Sequence, residues 1–248
     1  VGNNSASYTN ASWVNGDQVQ VRMTSSITCT SVNPVLSNVI GISVGTLPAA
    51  RYLTVDISAD KAFSYDANFN LVSTQALPNA NADANDVCHA GSVYYVLDKS
   101  DKTVYRYAGS AICSKILKDP AGSSLNNPVG IHVSGDDLWV TDAGKKFIYK
   151  YSLTAAFATL TGNVNAILQI PFNSLNGTGS SGMFGDASYV YVLDNTGKKF
   201  FRYLKASPYS SVASRVIRDA GGSALQTTTG AALDGSNVLV ADAGKDYV

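Results

Sequence analysis

The sequence predicts an all-β protein in which a β-propeller of four-stranded blades follows a partial β-sandwich. The first observation is a repeated motif, an acid with aromatic residues seven and nine positions later, as in Asp142, Tyr149 and Tyr151. The second is a match between residues 115–133 and residues 215–233, at an offset of 100. The third is a composition with 15% charged residues and no Glu, in which strong helix formers are scarce. A repeat of roughly 40 to 50 residues is the period of a propeller blade.

The repeated acids, here called the corner acids, each end an apolar stretch such as "DLWVTD" or "VYYVLD". Such stretches are typical of strands covered on both faces. A polar turn follows, and an Asp side chain can accept hydrogen bonds from backbone N–H groups about two residues further on. We therefore interpret these acids as structural rather than catalytic. We expect Asp142→Ala to cost roughly 1–2 kcal/mol of stability and to leave binding unaffected. The corner acids are Asp56, Asp98, Asp142, Asp194 and Asp242.

The strand after each turn alternates aromatic residues with other residues, as in "VYRY" and "IYKY". The aromatic residues lie on one face of the strand and the residue between them lies on the other. Because they recur at strand spacing in successive units, they indicate a core between neighbouring blades. A platform that binds carbohydrate is the alternative. The set includes Tyr105, Tyr107, Tyr149, Tyr151 and Tyr203.

The segments between these hairpins complete a four-stranded unit. Each reads as an outer strand, a loop rich in Gly, Ser and Asn, and a short inner strand. Every loop contains one leucine that we expect to be buried, and these are Leu125, Leu175 and Leu225. The corner acids are 42, 44, 52 and 48 residues apart. A solenoid is the alternative architecture, but its repeats are usually shorter. Five units are visible, and we expect six blades in the complete propeller.

The segment "SLNNPVGIHVSGDDLWVTDAGKKFIYKYS" resembles an NHL repeat. That family has a Pro-x-Gly-apolar inner strand, a strand that ends in Asp, and then a strand of alternating apolar residues. Pro128, Gly130 and Asp142 occupy those positions. The resemblance covers residues 50–248, although the other units lack the proline. It implies an NHL-like propeller over residues 51–248.

Residues 1–45 have no counterpart in the repeats and predict a separate module, joined to the propeller by a linker at residues 46–50. Within it, "NGDQVQVRMTSS" predicts a turn and an alternating strand with Val19, Val21 and Met23 on one face. The stretch resembles the C-terminal half of the Ig-like, PKD-like modules of large secreted adhesins and gliding proteins of the type IX secretion class. The resemblance implies a cysteine partner upstream of Cys29. The residues that carry it are Asn15, Gly16, Asp17, Cys29, Ser37 and Asn38.

Two histidines, His89 and His132, fall at roughly equivalent positions of the predicted inner strands of adjacent units. Because inner strands line the central channel of a propeller, this pair could bind a metal or a ligand there. Phe184 and Ala232 stand at the same position in other units, and no carboxylate does. A packed or hydrogen-bonded pair is therefore the favoured interpretation.

The segment "NANADAND", residues 79–86, places oxygen ligands at alternate positions, as a calcium loop does. It lacks the glycine turn and the distal Glu of an EF-hand. A solvated loop between blades is the better interpretation, so we predict no cofactor and keep calcium as the alternative.

Cys88 and Cys113 fall on the predicted innermost and outermost strands of one unit. Three strand spacings of about 4.8 Å would separate them. A disulfide needs Cα atoms within about 7 Å of each other. We therefore predict that these two cysteines do not pair.

The formal net charge of zero favours neither a nucleic acid partner nor an anionic membrane. No apolar run approaches the roughly 18 residues of a membrane helix. No Ser–His–Asp order, Gly-rich phosphate loop or HExxH motif is present. We therefore predict a non-enzymatic extracellular or cell-surface protein whose propeller is a binding, adhesion or assembly module. Its partners would be a protein or glycan on a cell surface, or other copies or segments of the same assembly. The alternative is a propeller-type lyase or hydrolase with its active site in the central channel.

Both ends of the chain look cut, since the Ig-like module lacks its first strands and the last unit stops near its third strand. We expect an incomplete sandwich over residues 1–45. We also expect five units around one axis, with a gap at the point of closure or with that gap filled by another chain. Expressed alone, the chain should be poorly soluble, because terminal blades would expose apolar faces.

Overall fold

The computed structural model describes residues 17–23, 35–41, 52–77, 81, 83–108, 111–171 and 179–245. The chain divides into two units, Val1–Ala49 and Ala50–Val248. The described residues form strands and turns with one short helix, α1 (Leu153–Ala156). Among these residues, none belongs to a helix that is long and apolar enough to cross a membrane.

The first unit contains two short antiparallel ladders. Its strands are β1 (Gln18–Val19), β2 (Arg22–Met23), β3 (Val35–Leu36) and β4 (Ile40–Gly41). β1 pairs with β4, and β2 pairs with β3. The strand predicted through Val19, Val21 and Met23 is thus interrupted, and Val21 is 64% exposed, because ladders of two residues form no face wide enough to bury it. The Ig-like identity stays a prediction, and Cys29 lies outside the described residues.

The second unit is an all-β propeller, and its sheets are here called blades 1 to 5 in chain order. Blade 1 has three strands, blade 2 has five, and blades 3 and 4 have four each. Blade 5 has two strands among the described residues. This is a four-blade propeller arrangement followed by a two-stranded sheet, and the expected total of six blades stays a prediction.

The strands of each blade run in chain order from the inner edge outward, except where β15 joins blade 2. Blade 1 contains β5 (Tyr52–Asp56), β6 (Lys61–Tyr65) and β7 (Leu71–Ala76). Blade 2 contains β8 (Ala84–Ala90), β9 (Val93–Asp98), β10 (Thr103–Ala108), β11 (Ala111–Lys118) and β15 (Asn163–Asn165). Blade 3 contains β12 (Pro128–Ser134), β13 (Asp137–Asp142), β14 (Phe147–Ser152) and β16 (Leu168–Pro171). Blade 4 contains β17 (Ser180–Gly185), β18 (Tyr189–Asp194), β19 (Lys199–Leu204) and β20 (Ser211–Val216), and blade 5 contains β21 (Thr228–Asp234) and β22 (Asn237–Asp242).

The inner strands of blades 2 to 5 all carry a bulge at the same place. In β12 the residue opposite the corner acid is Pro128, and the ladder resumes at Gly130. The other three inner strands repeat this shift. The common register makes positions comparable between blades. One set of equivalent residues, here called the axial position, is Asp86, Gly130, Gly182 and Gly230.

Apolar side chains between neighbouring blades form the core. Tyr95 of blade 2 clusters with Tyr149 and Tyr151 of blade 3, and Trp139 of blade 3 clusters with Phe201 and Tyr203 of blade 4. The predicted tyrosine set is therefore interblade core, as its strand spacing indicated. Its members, all less than 8% exposed, are Tyr105, Tyr107, Tyr149, Tyr151 and Tyr203.

The connection between β14 and β16 was not predicted. After α1 the chain crosses to blade 2, where β15 pairs in parallel with β11 through Ile116 and Asn163. It then returns to blade 3 as β16, the outer strand that the repeat pattern predicted. This excursion accounts for the 52 residues between Asp142 and Asp194, the longest spacing of the corner acids.

The inner edges of the blades follow one another in the order β5, β8, β12, β17 and β21. The Tyr52 hydroxyl of blade 1 donates a hydrogen bond to the Asp234 carboxylate of blade 5, at 2.9 Å. The expected gap between the first and last blades is therefore spanned at this point by the chain itself.

Candidate functional site

Asp98, Asp142 and Asp242 each bind backbone amides beyond the turn that follows them. The carboxylate of Asp142, which is fully buried, accepts hydrogen bonds from the amides of Gly144 and Lys145 in the turn, at 2.9 and 3.1 Å. It also accepts hydrogen bonds from the amides of Asn126 and Asn127, at 2.7 and 2.8 Å. One side chain thus joins the β13–β14 turn to the loop that enters the inner strand of the same blade.

Asp242 repeats this arrangement in blade 5, where it accepts hydrogen bonds from the amides of Gln226, Thr227 and Gly244. Burial raises the pKa of Asp242, but these three amides outweigh it and hold the pKa below its usual value. Asp56 is exposed, and its partners among the described residues are Ser58 and Ala59 in the turn that follows it. The interpretation of the corner acids as structural stays a prediction until stability and binding are measured.

The two histidines do not occupy equivalent positions, so the expected alignment was wrong by one residue. In the register, His132 is equivalent to Cys88, whereas His89 is equivalent to Val133. Adjacent residues of a strand point to opposite faces, so a shift of one residue separates the two imidazoles. His89 is exposed, and its Nδ1 lies 3.2 Å from the carbonyl oxygen of Gly91. Their role as ligands in the channel stays a prediction.

His132 belongs to a polar group between blades 3 and 4. Its Nε2 lies 3.2 Å from Nζ of Lys205, whose ammonium also donates to the backbone oxygen of Asp186. Burial and the charge of Lys205 lower the pKa of His132 to about 3, against the opposing effect of Asp186. Burial also lowers the pKa of Lys205. At neutral pH His132 is therefore a neutral ring that accepts a hydrogen bond from Lys205.

Asp86 is the polar residue of the inner strands that sequence reasoning missed. One carboxylate oxygen accepts a hydrogen bond from the amide of Val87 and the other from the amide of Ile131 in blade 3, both at 2.9 Å. The amide of Met183 in blade 4 donates as well. Burial raises the pKa of Asp86 to about 7, while these three hydrogen bonds oppose the rise. When the inner strands are aligned in the correct register, Asp86 stands at a position where the other three have glycine. That acid is the signal that the sequence contained.

The axial position is closed by backbone. A Cβ atom on Gly130 would lie 2.7 Å from the carbonyl carbon of Gly182, from the amide nitrogen of Met183 and from Oγ1 of Thr141. Such a separation is shorter than van der Waals contact. Neighbouring inner strands therefore approach so closely at this level that glycine is required at Gly130.

One face of blade 4 carries a cluster of three aromatic rings, of which Tyr191 and Phe200 are only partly buried. The rings of Phe184 and Tyr191 stack at 4.8 Å, and Phe200 meets both at their edges. Tyr191 and Phe200, together with Arg202, border a shallow pocket of about 120 Å³. The residues that line this pocket are Tyr191, Phe200, Arg202, Ala213, Ser214 and Arg215.

In residues 79–86, which were interpreted as a solvated loop with a calcium loop as the alternative, two asparagine side chains bind other parts of the chain. Asn81 donates to the Tyr107 hydroxyl at 2.9 Å and Asn85 donates to the Val129 carbonyl at 2.7 Å. Residues 79, 80 and 82 lie outside the described part. Within the part that the structure describes, no group of three or more His, Cys, Asp or Glu side chains could hold a metal ion.

The prediction that Cys88 and Cys113 do not pair is confirmed, since both are free thiols. They lie in one row across blade 2, with Tyr95 and Arg106 between them. Burial raises the pKa of the Cys88 thiol, as does the nearby Asp86 carboxylate, so its reactive thiolate form is disfavoured.

Comparison with known proteins supports the fold. No protein-family model matches the sequence, and neither does any curated protein. Among solved structures, the chain is similar to the extracellular domain of a B. thetaiotaomicron protein described as a one component system, with a TM-score of 0.53 and 13% identity over 81% of this chain and 29% of that one. It is also similar to virginiamycin B lyase from Staphylococcus aureus (TM-score 0.49, 12% identity, 92% of this chain and 83% of that one). A third similar structure is glutaminyl cyclase from Myxococcus xanthus, with a TM-score of 0.47 and 8% identity over 64% of this chain and 61% of that one. At these identities the likeness concerns the propeller fold alone, and membership of the NHL family stays a prediction.

Proposed function

We propose that this chain is a non-enzymatic extracellular module whose propeller acts in binding and assembly, and that its partner contributes a β-strand to blade 5. The observation that carries this proposal is the aromatic face of blade 4. The residues equivalent to Tyr191 in the preceding blades are Tyr95 and Trp139, which are 5% and 0% exposed. Tyr191 itself is only partly buried and borders a pocket.

The cover over the equivalent residues defines the chemistry of the partner. Tyr95 is covered by Tyr149 and Tyr151, which alternate along β14 of the next blade. Trp139 is covered by Phe201 and Tyr203, which alternate along β19. A third strand of blade 5 would cover Tyr191 in the same way. The partner strand would therefore place two aromatic side chains on one face, two residues apart.

The edge of blade 5 offers the hydrogen bonds for such a strand. Among the described residues, β22 (Asn237–Asp242) pairs with β21 on one side only. The equivalent strands β13 and β18 pair on both sides. An unpaired edge presents backbone N–H and C=O groups to which an added strand can bind, while pockets for alternate side chains select its sequence. The strand would come from another copy or another segment of the same assembly at the cell surface.

The experiment uses a peptide with the sequence of residues 145–152, KKFIYKYS, as the model of a third strand. A control peptide of the same composition, KFYKISKY, has no two aromatic residues two positions apart, so it cannot place such a pair on one face of a strand. We expect the first peptide to bind the chain and the control peptide to bind at least about tenfold more weakly, as measured by fluorescence anisotropy. Tyr191→Ala should weaken the first peptide by a similar factor. Equal affinity of both peptides, or an unchanged affinity of Tyr191→Ala, would contradict strand addition at this face.

A lyase or hydrolase in the central channel is the second candidate. The feature that favours it is the pair of His132 and Lys205, two groups whose pKa values are both lowered by burial. Against it stands the backbone contact at Gly130, which leaves no space for a substrate at the axial position. If His132→Ala retains peptide binding at full affinity, the imidazole is not part of the assembly surface and remains free for such a role.

A further inference from the structure

We propose that the inner strands of blades 2 to 4 build a carboxyl-binding site from backbone amides at one level of the propeller axis, and that the chain's own Asp86 side chain is its resident ligand. A small carboxylic acid such as acetic acid, or its acetate ion, would bind there when the side chain is removed.

The donors of this site are three equivalent amides. Val87, Ile131 and Met183 each follow the axial position of their own blade, directly after the bulge. An inner strand is the edge of its sheet, so alternate N–H groups along it point toward the axis without a strand partner. Buried amides need an acceptor. The Asp86 carboxylate supplies one acceptor to three blades at once.

The space at the axis admits one side chain. Gly130 has no space for a Cβ atom, because the backbone of Gly182 and Met183 lies 2.7 Å from where that atom would stand. A Cβ on Gly182 would already lie 3.5 Å from the Cα atom of Gly230. The glycines of blades 3 and 4 thus bring the amides together, and the carboxymethyl group of Asp86 fills what remains. Acetate has the same atoms as that group.

The amide donors favour an ionised carboxyl group, whereas burial favours its neutral form and prevails, since the pKa of Asp86 is raised. Convergent backbone N–H groups form a concave site of positive partial charge, as in the anion-binding nests of other proteins. A hydrogen bond to an ionised carboxylate is also stronger than one to a neutral acceptor. Within the described residues, the titratable neighbour on which Asp86 acts is Cys88, two residues along the same strand, whose thiol pKa the carboxylate helps to raise. Since burial raises the pKa of Asp86 to about 7, both of its forms are populated near neutral pH, and the site can be observed in the unmodified chain.

The first experiment follows amide resonances by NMR between pH 5 and pH 9. We expect the amide protons of Val87, Ile131 and Met183 to shift together with one apparent pKa. Asp86→Asn, which keeps the shape but cannot ionise, should abolish that shared titration. Independent titration of the Ile131 and Met183 amides, or a titration that survives in Asp86→Asn, would overturn the proposal even if no other variant folds.

The second experiment tests the ligand directly with Asp86→Gly, which restores the residue found at this position in the other blades. We expect sodium acetate to raise its melting temperature in a saturable way relative to sodium chloride at equal ionic strength. Acetate should also slow hydrogen exchange of the Ile131 and Met183 amides by about tenfold or more. The matched control is Asp119→Gly, which removes a carboxylate that accepts two backbone amides, from Ala121 and Ser123, in an exposed loop. Stabilisation of both variants alike, or of neither, would show that the axis holds no site for a carboxyl group.

Discussion

Replacement of Asp142 by alanine tests how much of a blade depends on its corner acid. The sequence-based value of roughly 1–2 kcal/mol counted only the turn after the acid. The structure adds two hydrogen bonds from the loop at Asn126 and Asn127 to the two from the turn. Because Asp142 is fully buried, its removal leaves four amides without an acceptor and with little access to water. We therefore expect Asp142→Ala to lower the free energy of unfolding by about 3–5 kcal/mol.

The assay is urea unfolding followed by far-UV circular dichroism, with Asp56→Ala as the matched control. Asp56 is an exposed corner acid whose partners among the described residues are Ser58 and Ala59, so its loss should be clearly smaller. Binding of the strand peptide at a temperature where the variant is folded should not change. An unfolding midpoint equal to that of the wild type, together with lost peptide binding, would refute the structural interpretation and make the carboxylate functional.

Three further predictions concern the axis and the thiols. Gly130→Ala should lower the free energy of unfolding by about 1–3 kcal/mol, because the added methyl group overpacks the axis. The equivalent Gly230→Ala should not, because no described atom lies within 4 Å of its Cβ position. Equal thermal melts of the two variants would contradict this. The folded-state pKa of Asp86 is raised to about 7, so its contribution to stability is present near pH 4 and is lost as the pH rises toward 7. In urea unfolding, the free energy of unfolding of the wild type should therefore fall more between pH 5 and pH 8 than that of Asp86→Asn. The effects of the other titrating groups are common to both proteins and cancel in this comparison. Cys88 and Cys113 should both be alkylated in the unfolded chain without a reductant, and mass spectrometry that finds them linked would contradict the free thiols seen here.

The repeated elements could be predicted because each depends on local chemistry. An acid after an apolar strand closes a turn, and alternating aromatic residues mark a strand face, so the hairpins of blades 2 to 4 follow from short stretches of sequence. The bonds from the Asn126 and Asn127 amides to Asp142 depend on residues 15 and 16 positions upstream, which no local pattern joins. The pairing of β15 with β11 could not be predicted from local sequence either, because β11 belongs to the preceding blade.

The candidate site was missed for a more specific reason. Matching "VCHAG" to "GIHVS" by their histidines places the inner strand of blade 2 one residue out of register, and a shift of one residue moves every side chain to the other face. In the correct register the histidines separate, and Asp86 enters the column of Gly130, Gly182 and Gly230. A charged residue in a column of glycines is a strong signal, because the space that excludes every other side chain must there admit a carboxylate.

The geometry of the propeller separates the site at its axis from the strand-binding edge of blade 5. The edge amides of a propeller must find acceptors either in the channel or in added strands, because buried N–H groups without partners are costly. At the level of Asp86 the acceptor is already present within the chain, and the contact of Gly130 with the blade 4 backbone closes the axis there. The edge of β22 faces away from the axis, and among the described residues no strand pairs with it. The ring of Tyr191 is only partly buried and borders a pocket. Binding of the strand peptide at the outer edge of blade 5 is therefore expected to persist in Asp86→Gly with acetate bound. The contacts at the axis join the inner strands to one another, whereas the peptide contacts the outer edge.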